Sequence, residues 1–113
     1  MIGTDVCSIA RIESALAEHG ARFVERLLTP AEREAMPKPT AEKLARRWAL
    51  KEAVAKALGT GIGAAVGFQD IEVGHTEAGA PVVRVRGRED VNFVASVSDD
   101  AGVAVAMVMA VAI

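Results

Sequence analysis

Glu52 and Lys56 stand one helical turn apart in the stretch RWALKEAVAKALGTGIG, Arg47 to Gly63, and Arg47 and Lys51 form a second one-turn pair of like charge. At about 100° per residue, Leu44, Trp48, Ala55 and Leu58 share one side of this helix, and Leu50, Ala53, Val54 and Ala57 cover most of the remainder. A helix so apolar around its circumference is expected to be largely buried, where charges are costly unless paired or put to use. A carboxylate, several cations and a Gly-rich exit together suit a site for an anionic ligand, with or without a metal. Two plainer readings stand beside this one. Glu52 and Lys56 could be an ordinary i,i+4 ion pair, worth roughly 0.3–0.5 kcal/mol when exposed. Gly59 could simply be the residue just past a helix end, where glycine is favoured. His19 and His75 lack a partner at metal-ligand spacing and read as surface residues. Cys7 lacks a recognisable base and reads as a small core residue, and Trp48 as a core anchor.

The elements that must hold these side chains can be read along the chain. Met1 to Cys7 reads as a short strand ending near Asp5. Ser8 to Leu28 has helical character, with Ile9, Ile12 and Leu16 on one side and a break at Gly20 before Phe23, Val24, Leu27 and Leu28. Thr29-Pro30-Ala31-Glu32 has capping-box spacing with proline at the first helical position, which starts a new short helix. Pro37-Lys38-Pro39 is a stiff loop, after which Thr40 caps the long helix that carries Glu52. Beyond Gly63 the period changes. Phe68 to Gly74 and Val82 to Arg88 read as strands joined by a turn at Thr76 to Pro81, and Val91 to Ser98 pairs with Val103 to Ile113 across Asp99 to Gly102. The class is therefore α+β: an N-terminal strand and helices followed by an antiparallel sheet, which the first strand is free to join.

At 113 residues the chain makes one domain spanning 1–113, or one subunit of an oligomer. Its positive mean hydropathy, +0.27, exceeds what a small core requires and points to burial between subunits. The single cysteine fits a reducing compartment. No signal-like N-terminus opens the chain, and the apolar run Val103 to Ile113 is too short for a membrane helix, so a cytoplasmic protein without membrane contact is expected. Residues 1–58 carry ten basic and eight acidic side chains, and the rest three and seven. That bias is too weak for nucleic acid but suits a local basic face for an acidic protein or a phosphorylated ligand.

Three separated pieces resemble one family. GTD at Gly3 to Asp5 with Arg11 following, WALKEAVAKALGTGIG at Trp48 to Gly63, and FQDIEV at Phe68 to Val73 are similar to holo-(acyl-carrier-protein) synthase, the small class of 4′-phosphopantetheinyl transferase. RFVERLLTPAE, Arg22 to Glu32, resembles the family's second helix and its exit. The resemblance implies transfer of the phosphopantetheine arm from coenzyme A to a serine of an apo acyl carrier protein, with release of 3′,5′-ADP. It implies magnesium, a place in fatty acid biosynthesis, and a homotrimer with active sites at the subunit clefts. On this reading Asp5 and Glu52 hold the metal against the pyrophosphate, two hard carboxylates leaving room for phosphate oxygens. Lys56 contacts the phosphates, and the base for the attacking serine is Glu52 or a water on the metal that it orients. Arg47 lies near the nucleotide, Gly59, Thr60, Gly61 and Gly63 let backbone approach the phosphates, and Ser98 keeps the polar character of a coenzyme-side strand. Arg11, Arg22, Phe23 and Arg26 match positions that grip the carrier protein, whose acidic helix basic side chains would steer.

The chain departs from the family near its end. Where the family carries a pattern close to HVSxxH, this sequence reads VASVSD, with Val94 and Asp99 in place of the histidines, and Arg88-Glu89-Asp90 leaves no room for a helix before Val91. An acid at 99 would face phosphate unfavourably unless it turned away or bound metal. These departures keep open a non-catalytic module that binds carrier protein or coenzyme A on the same scaffold.

Overall fold

A computed structural model describes all residues, Met1–Ile113. The elements run β1 (Ile2–Ser8), α1 (Ile9–His19), α2 (Ala21–Leu27), α3 (Pro30–Ala35), α4 (Ala41–Ala57), a 3₁₀ turn (Phe68–Asp70), β2 (Ile71–His75), β3 (Pro81–Val85), β4 (Val91–Asp100) and β5 (Val103–Ala112). The α+β class holds, and the N-terminal strand does join a sheet. It lies antiparallel to β5, which also pairs with β4, giving the order β1-β5-β4, while β2 and β3 form a separate two-stranded sheet.

The local signals act where expected. Ser8, Thr29 and Thr40 cap α1, α3 and α4, and Glu32 closes a capping box on the Thr29 amide. Gly20, at φ 54°, separates α1 from α2 in a conformation open to glycine. Several expected boundaries move: Asp99 and Asp100 extend β4 rather than open the turn, and Pro81 begins β3. Phe68 to Asp70 is a 3₁₀ turn rather than the start of a strand, because Asp70 folds back to accept from the Gly67 amide at 2.8 Å. Arg86 to Arg88 leave the strand, since the chain turns at Gly87, φ 78°.

Helix α4 lies on the inner face of the three-stranded sheet. Small residues make the close approach possible: Ala104, Ala106, Val108 and Ala110 of β5 face it, and Gly3 of β1 has no Cβ. A Cβ at Gly3 would stand 2.0 Å from the Ala53 carbonyl oxygen and 2.6 Å from the Ala57 nitrogen, so glycine is what lets β1 rest on α4. The other face of the sheet is uncovered. Ile2 and Val6 of β1, Val94 of β4, and Val105, Met107, Met109 and Val111 of β5 are all exposed there.

Candidate active site

The contact of β1 with α4 sets the site. Asp5 points to the inner side of β1, two residues beyond Gly3, and meets Lys56 from α4. The Lys56 ammonium donates to Asp5 Oδ1 at 2.9 Å and to the Thr4 carbonyl at 3.1 Å. The plain Glu52–Lys56 pair therefore does not form; Lys56 bridges to the strand instead. Its bond to Asp5 pushes its pKa up, so it stays an ammonium at neutral pH. Glu52 sits one turn earlier, half-buried. Burial and the neighbouring Asp5 carboxylate push its pKa up, against an opposing pull from Lys56. The two carboxylates thus meet beside α4 and repel, with Lys56 bonded to one of them and Arg11 on the same cavity.

A cavity of about 340 Å³ opens beside this pair, with Asp5 and Glu52 on its wall, Arg11 on its polar side, and Cys7, Ile12, Ala15, Phe23 and Trp48 as apolar lining. Cys7 is buried, and burial with the Asp5 charge raises its pKa, so it remains a neutral thiol. Arg11, Arg22 and Arg26 are exposed and make no ion pair. Phe23 differs from them. It is buried and stacks on Trp48, centroids 6.1 Å apart, which in turn meets Phe68 at 4.7 Å. It offers a partner only the part that lines the cavity.

The Gly-rich exit is a folded helix end. Gly59, φ 81°, donates to the Lys56 carbonyl, and the Thr60 and Gly61 amides both donate to the Ala55 carbonyl; the Gly63 amide reaches Val66. These amides already have acceptors, so the loop presents a low backbone surface, with no Cβ contact near Gly59, Gly61 or Gly63, rather than a cradle of free donors. Ser98 lies on the outer face of the sheet, level with Val105 and Val6 and away from the face that carries Asp5.

Sequence reasoning missed the most heavily bonded group in the molecule. Glu32, the capping-box residue of α3, is buried and accepts from the Thr29 amide, the Val73 amide, Arg47 Nη1 and Lys51 Nζ at 2.6–3.0 Å. Lys51 is fully enclosed and also donates to the Leu27 and Phe68 carbonyls. The like-charged pair Arg47 and Lys51 is thus joined to one carboxylate, on a different side of α4 from Glu52. Burial lowers the pKa of both cations while Glu32 raises it. Arg47 still borders a second cavity, about 730 Å³, with Lys38, Lys43, Arg46 and His75. None of Asp5, Glu52 and Lys56 lines that cavity. Asp99 turns toward α4 and accepts from Arg46 at 2.7 Å, so the acid that stands in place of histidine is neutralised within the chain.

Known proteins resemble this chain in sequence and in fold. A holo-(acyl-carrier-protein) synthase of Wolinella succinogenes is 48% identical over 113 residues, covering 96% of this chain and 94% of that protein. The structure of the Helicobacter pylori holo-(acyl-carrier-protein) synthase in complex with coenzyme A superposes with a TM-score of 0.90 at 37% identity, covering 98% of this chain and 100% of that one. The Bacillus anthracis synthase, in complex with CoA (3′,5′-ADP), gives 0.84 at 38% identity, covering 95% and 91%. Residues 1–108 match the 4′-phosphopantetheinyl transferase superfamily, and the chain belongs to that family.

Proposed function

We propose that this protein transfers the 4′-phosphopantetheine arm of coenzyme A to a serine of an apo acyl carrier protein, releasing 3′,5′-ADP. The observation that carries the reading is the meeting of Asp5 from β1 with Lys56 and Glu52 from α4, in a chain whose relatives are holo-(acyl-carrier-protein) synthases. The reaction breaks the bond between the β-phosphorus and the bridging oxygen and forms one from the serine oxygen to that phosphorus. The serine proton needs an acceptor and the departing 3′,5′-ADP needs its new charge offset.

Lys56 is the cation for the second task. Held protonated by Asp5 and half exposed, it can swing its ammonium onto phosphate oxygens without first leaving a buried site. Its raised pKa argues against service as a base. Glu52, whose pKa is pushed up, accepts a proton more readily than an ordinary glutamate. The donor chemistry also suits magnesium: Asp5 and Glu52 put two hard carboxylates on one cavity wall, with room for phosphate oxygens beside them. Asp5 and Glu52 would hold the ion, and its chemistry would be neutralisation of the pyrophosphate.

The basic cavity beside Arg47, Lys38 and Lys43 suits the phosphates of the nucleotide end. Because it opens on another side of α4 from Glu52, a coenzyme A that uses both would do so across a subunit boundary. The uncovered apolar sheet face supports the matching assembly, a homotrimer closed around that face. Arg11, Arg22 and Arg26 are the steering charges for the acidic carrier protein. No helix is long and apolar enough to cross a membrane; a cytoplasmic place in fatty acid biosynthesis is part of the same proposal. The non-catalytic alternative loses one of its supports, since Asp99 is paired to Arg46 within the chain.

Intact-mass spectrometry of apo carrier proteins incubated with this protein, coenzyme A and magnesium tests the reading. The expected result is a gain of one phosphopantetheine mass that disappears with chelator. No gain across a broad panel, from folded protein, rejects it.

A further inference from the structure

Helix α2 carries Arg22 and Arg26 and is anchored by buried Phe23 and Leu27, yet its ends have almost no caps of their own. It is seven residues long, below the length at which a helix is stable alone. Its N-cap, Gly20, contributes no side-chain bond, and its C-cap, Leu28, is extended rather than a left-handed glycine. The last carbonyls of such a helix need donors from elsewhere.

Those donors come from three other elements, and one amide, with two N–H protons to share, reaches more of these carbonyls than any other group. Gln69 Nε2, in the 3₁₀ turn, lies 2.9 Å from the Glu25 carbonyl, 3.0 Å from that of Arg26 and 2.9 Å from that of Leu28. Arg33 of α3 adds bonds to Glu25 and Leu28. Lys51 of α4 takes the Leu27 carbonyl at 2.8 Å and the Phe68 carbonyl, next to Gln69, at 2.9 Å. The turn is itself pinned by the Asp70 carboxylate on the Gly67 amide. Lys51 immediately precedes Glu52, so a short bonded path runs from the end of α2, through Gln69 and Lys51, to the helix that carries the catalytic carboxylate.

We propose that Gln69 is a positioning residue for carrier-protein docking: it caps the C-terminal turn of α2 and so fixes where Arg22 and Arg26 stand relative to Glu52. This rests on the reading of α2 as a carrier-protein surface. Gln69 touches neither coenzyme A nor the reacting atoms in this account, so its removal acts on the protein substrate alone.

Gln69→Met tests it, since the side chain is exposed and methionine keeps its length without a donor. In steady-state transfer the KM for apo carrier protein rises roughly three- to tenfold, the scale of one or two neutral hydrogen bonds. The kcat and the KM for coenzyme A stay within about twofold, and a thermal melt confirms the fold. Arg26→Ala also raises the carrier KM, and the double variant shows less than the product of the two effects, because Gln69 acts through the placement of Arg26. A fall in kcat without a change in carrier KM, or fully multiplicative effects, overturns the proposal. If Arg22→Ala and Arg26→Ala raise the carrier KM while Gln69→Met does not, Gln69 has no such role but the docking surface stands. If neither arginine matters, the carrier-protein reading of α2 falls, and the role of Gln69 with it.

Discussion

Glu52 and Glu32 are two glutamates on nearby elements with opposite surroundings. Glu52 faces another carboxylate and is pushed up in pKa, which destabilises the folded, metal-free protein wherever both states are ionised. That penalty is present above its raised folded pKa and vanishes below the unfolded value, where both states are protonated. Glu52→Gln is therefore expected to abolish transfer while melting no lower than the parent at neutral pH, with the two melts converging under acid conditions. Activity retained in this variant would remove Glu52 from the site. Glu32 instead anchors Arg47 and Lys51. Glu32→Gln leaves two buried cations without their counter-charge and should cost about 3–5 kcal/mol, read as a shift in the denaturant midpoint. Only half of this contrast was legible in the sequence. Glu32 has a complete local explanation as a capping-box residue, so nothing in its neighbourhood announces partners 15 and 19 positions away. The apolar circumference of α4 did signal that Arg47 and Lys51 would need a partner, without saying which. Phe23 shows the same limit, since nothing near it in the sequence reveals that Trp48 stacks on it.

At the scale of elements, periodicity and caps determined most of the outcome. Thr40, the length of α4 and the β4–β5 hairpin followed from local pattern, whereas the separation of β2–β3 from the main sheet depends on pairings no local signal encodes. Phe68 to Asp70 alternates like a strand, and a single side-chain bond from Asp70 turns it into a 3₁₀ turn. The contact of β1 with α4 was invisible to pattern and joined Asp5 to Glu52 only through family resemblance. Its physical basis is Gly3. Gly3→Ala drives a methyl into helix backbone that has no flexible end to yield, so β1 must lift and Asp5 must leave Lys56. The expected result is a loss of at least about 1–3 kcal/mol in stability together with a large fall in transfer. A Gly3→Ala protein as stable and active as the parent would show that β1 does not set the site.

For the molecule as a whole, the sheet is finished on one side and open on the other. Ile2, Met109 and Val94 form one exposed row across β1, β5 and β4, and Val6 and Val105 lie in a second with Ser98. Such a face is the ordinary product of strands that alternate around a helix on one side and a neighbouring subunit on the other. If the proposed homotrimer closes on this face, Met107→Lys converts it to monomers in sedimentation analysis and lowers activity, although the side chain of Met107, paired with Thr4 beside Asp5, projects from the opposite side of the sheet. A variant that remains assembled would place the subunit boundary elsewhere.

The two methionines of that face, Met107 at 52% and Met109 at 50% exposure in the single chain, also make it chemically readable. Peroxide converts an accessible thioether to a polar sulfoxide, while one enclosed by neighbours reacts slowly. In the proposed homotrimer this face is covered, so concentrated protein should resist this oxidation and dilute protein should not. Each oxidised chain would then carry an oxygen where an apolar surface is required, so oxidative damage would accumulate as subunits that no longer reassemble.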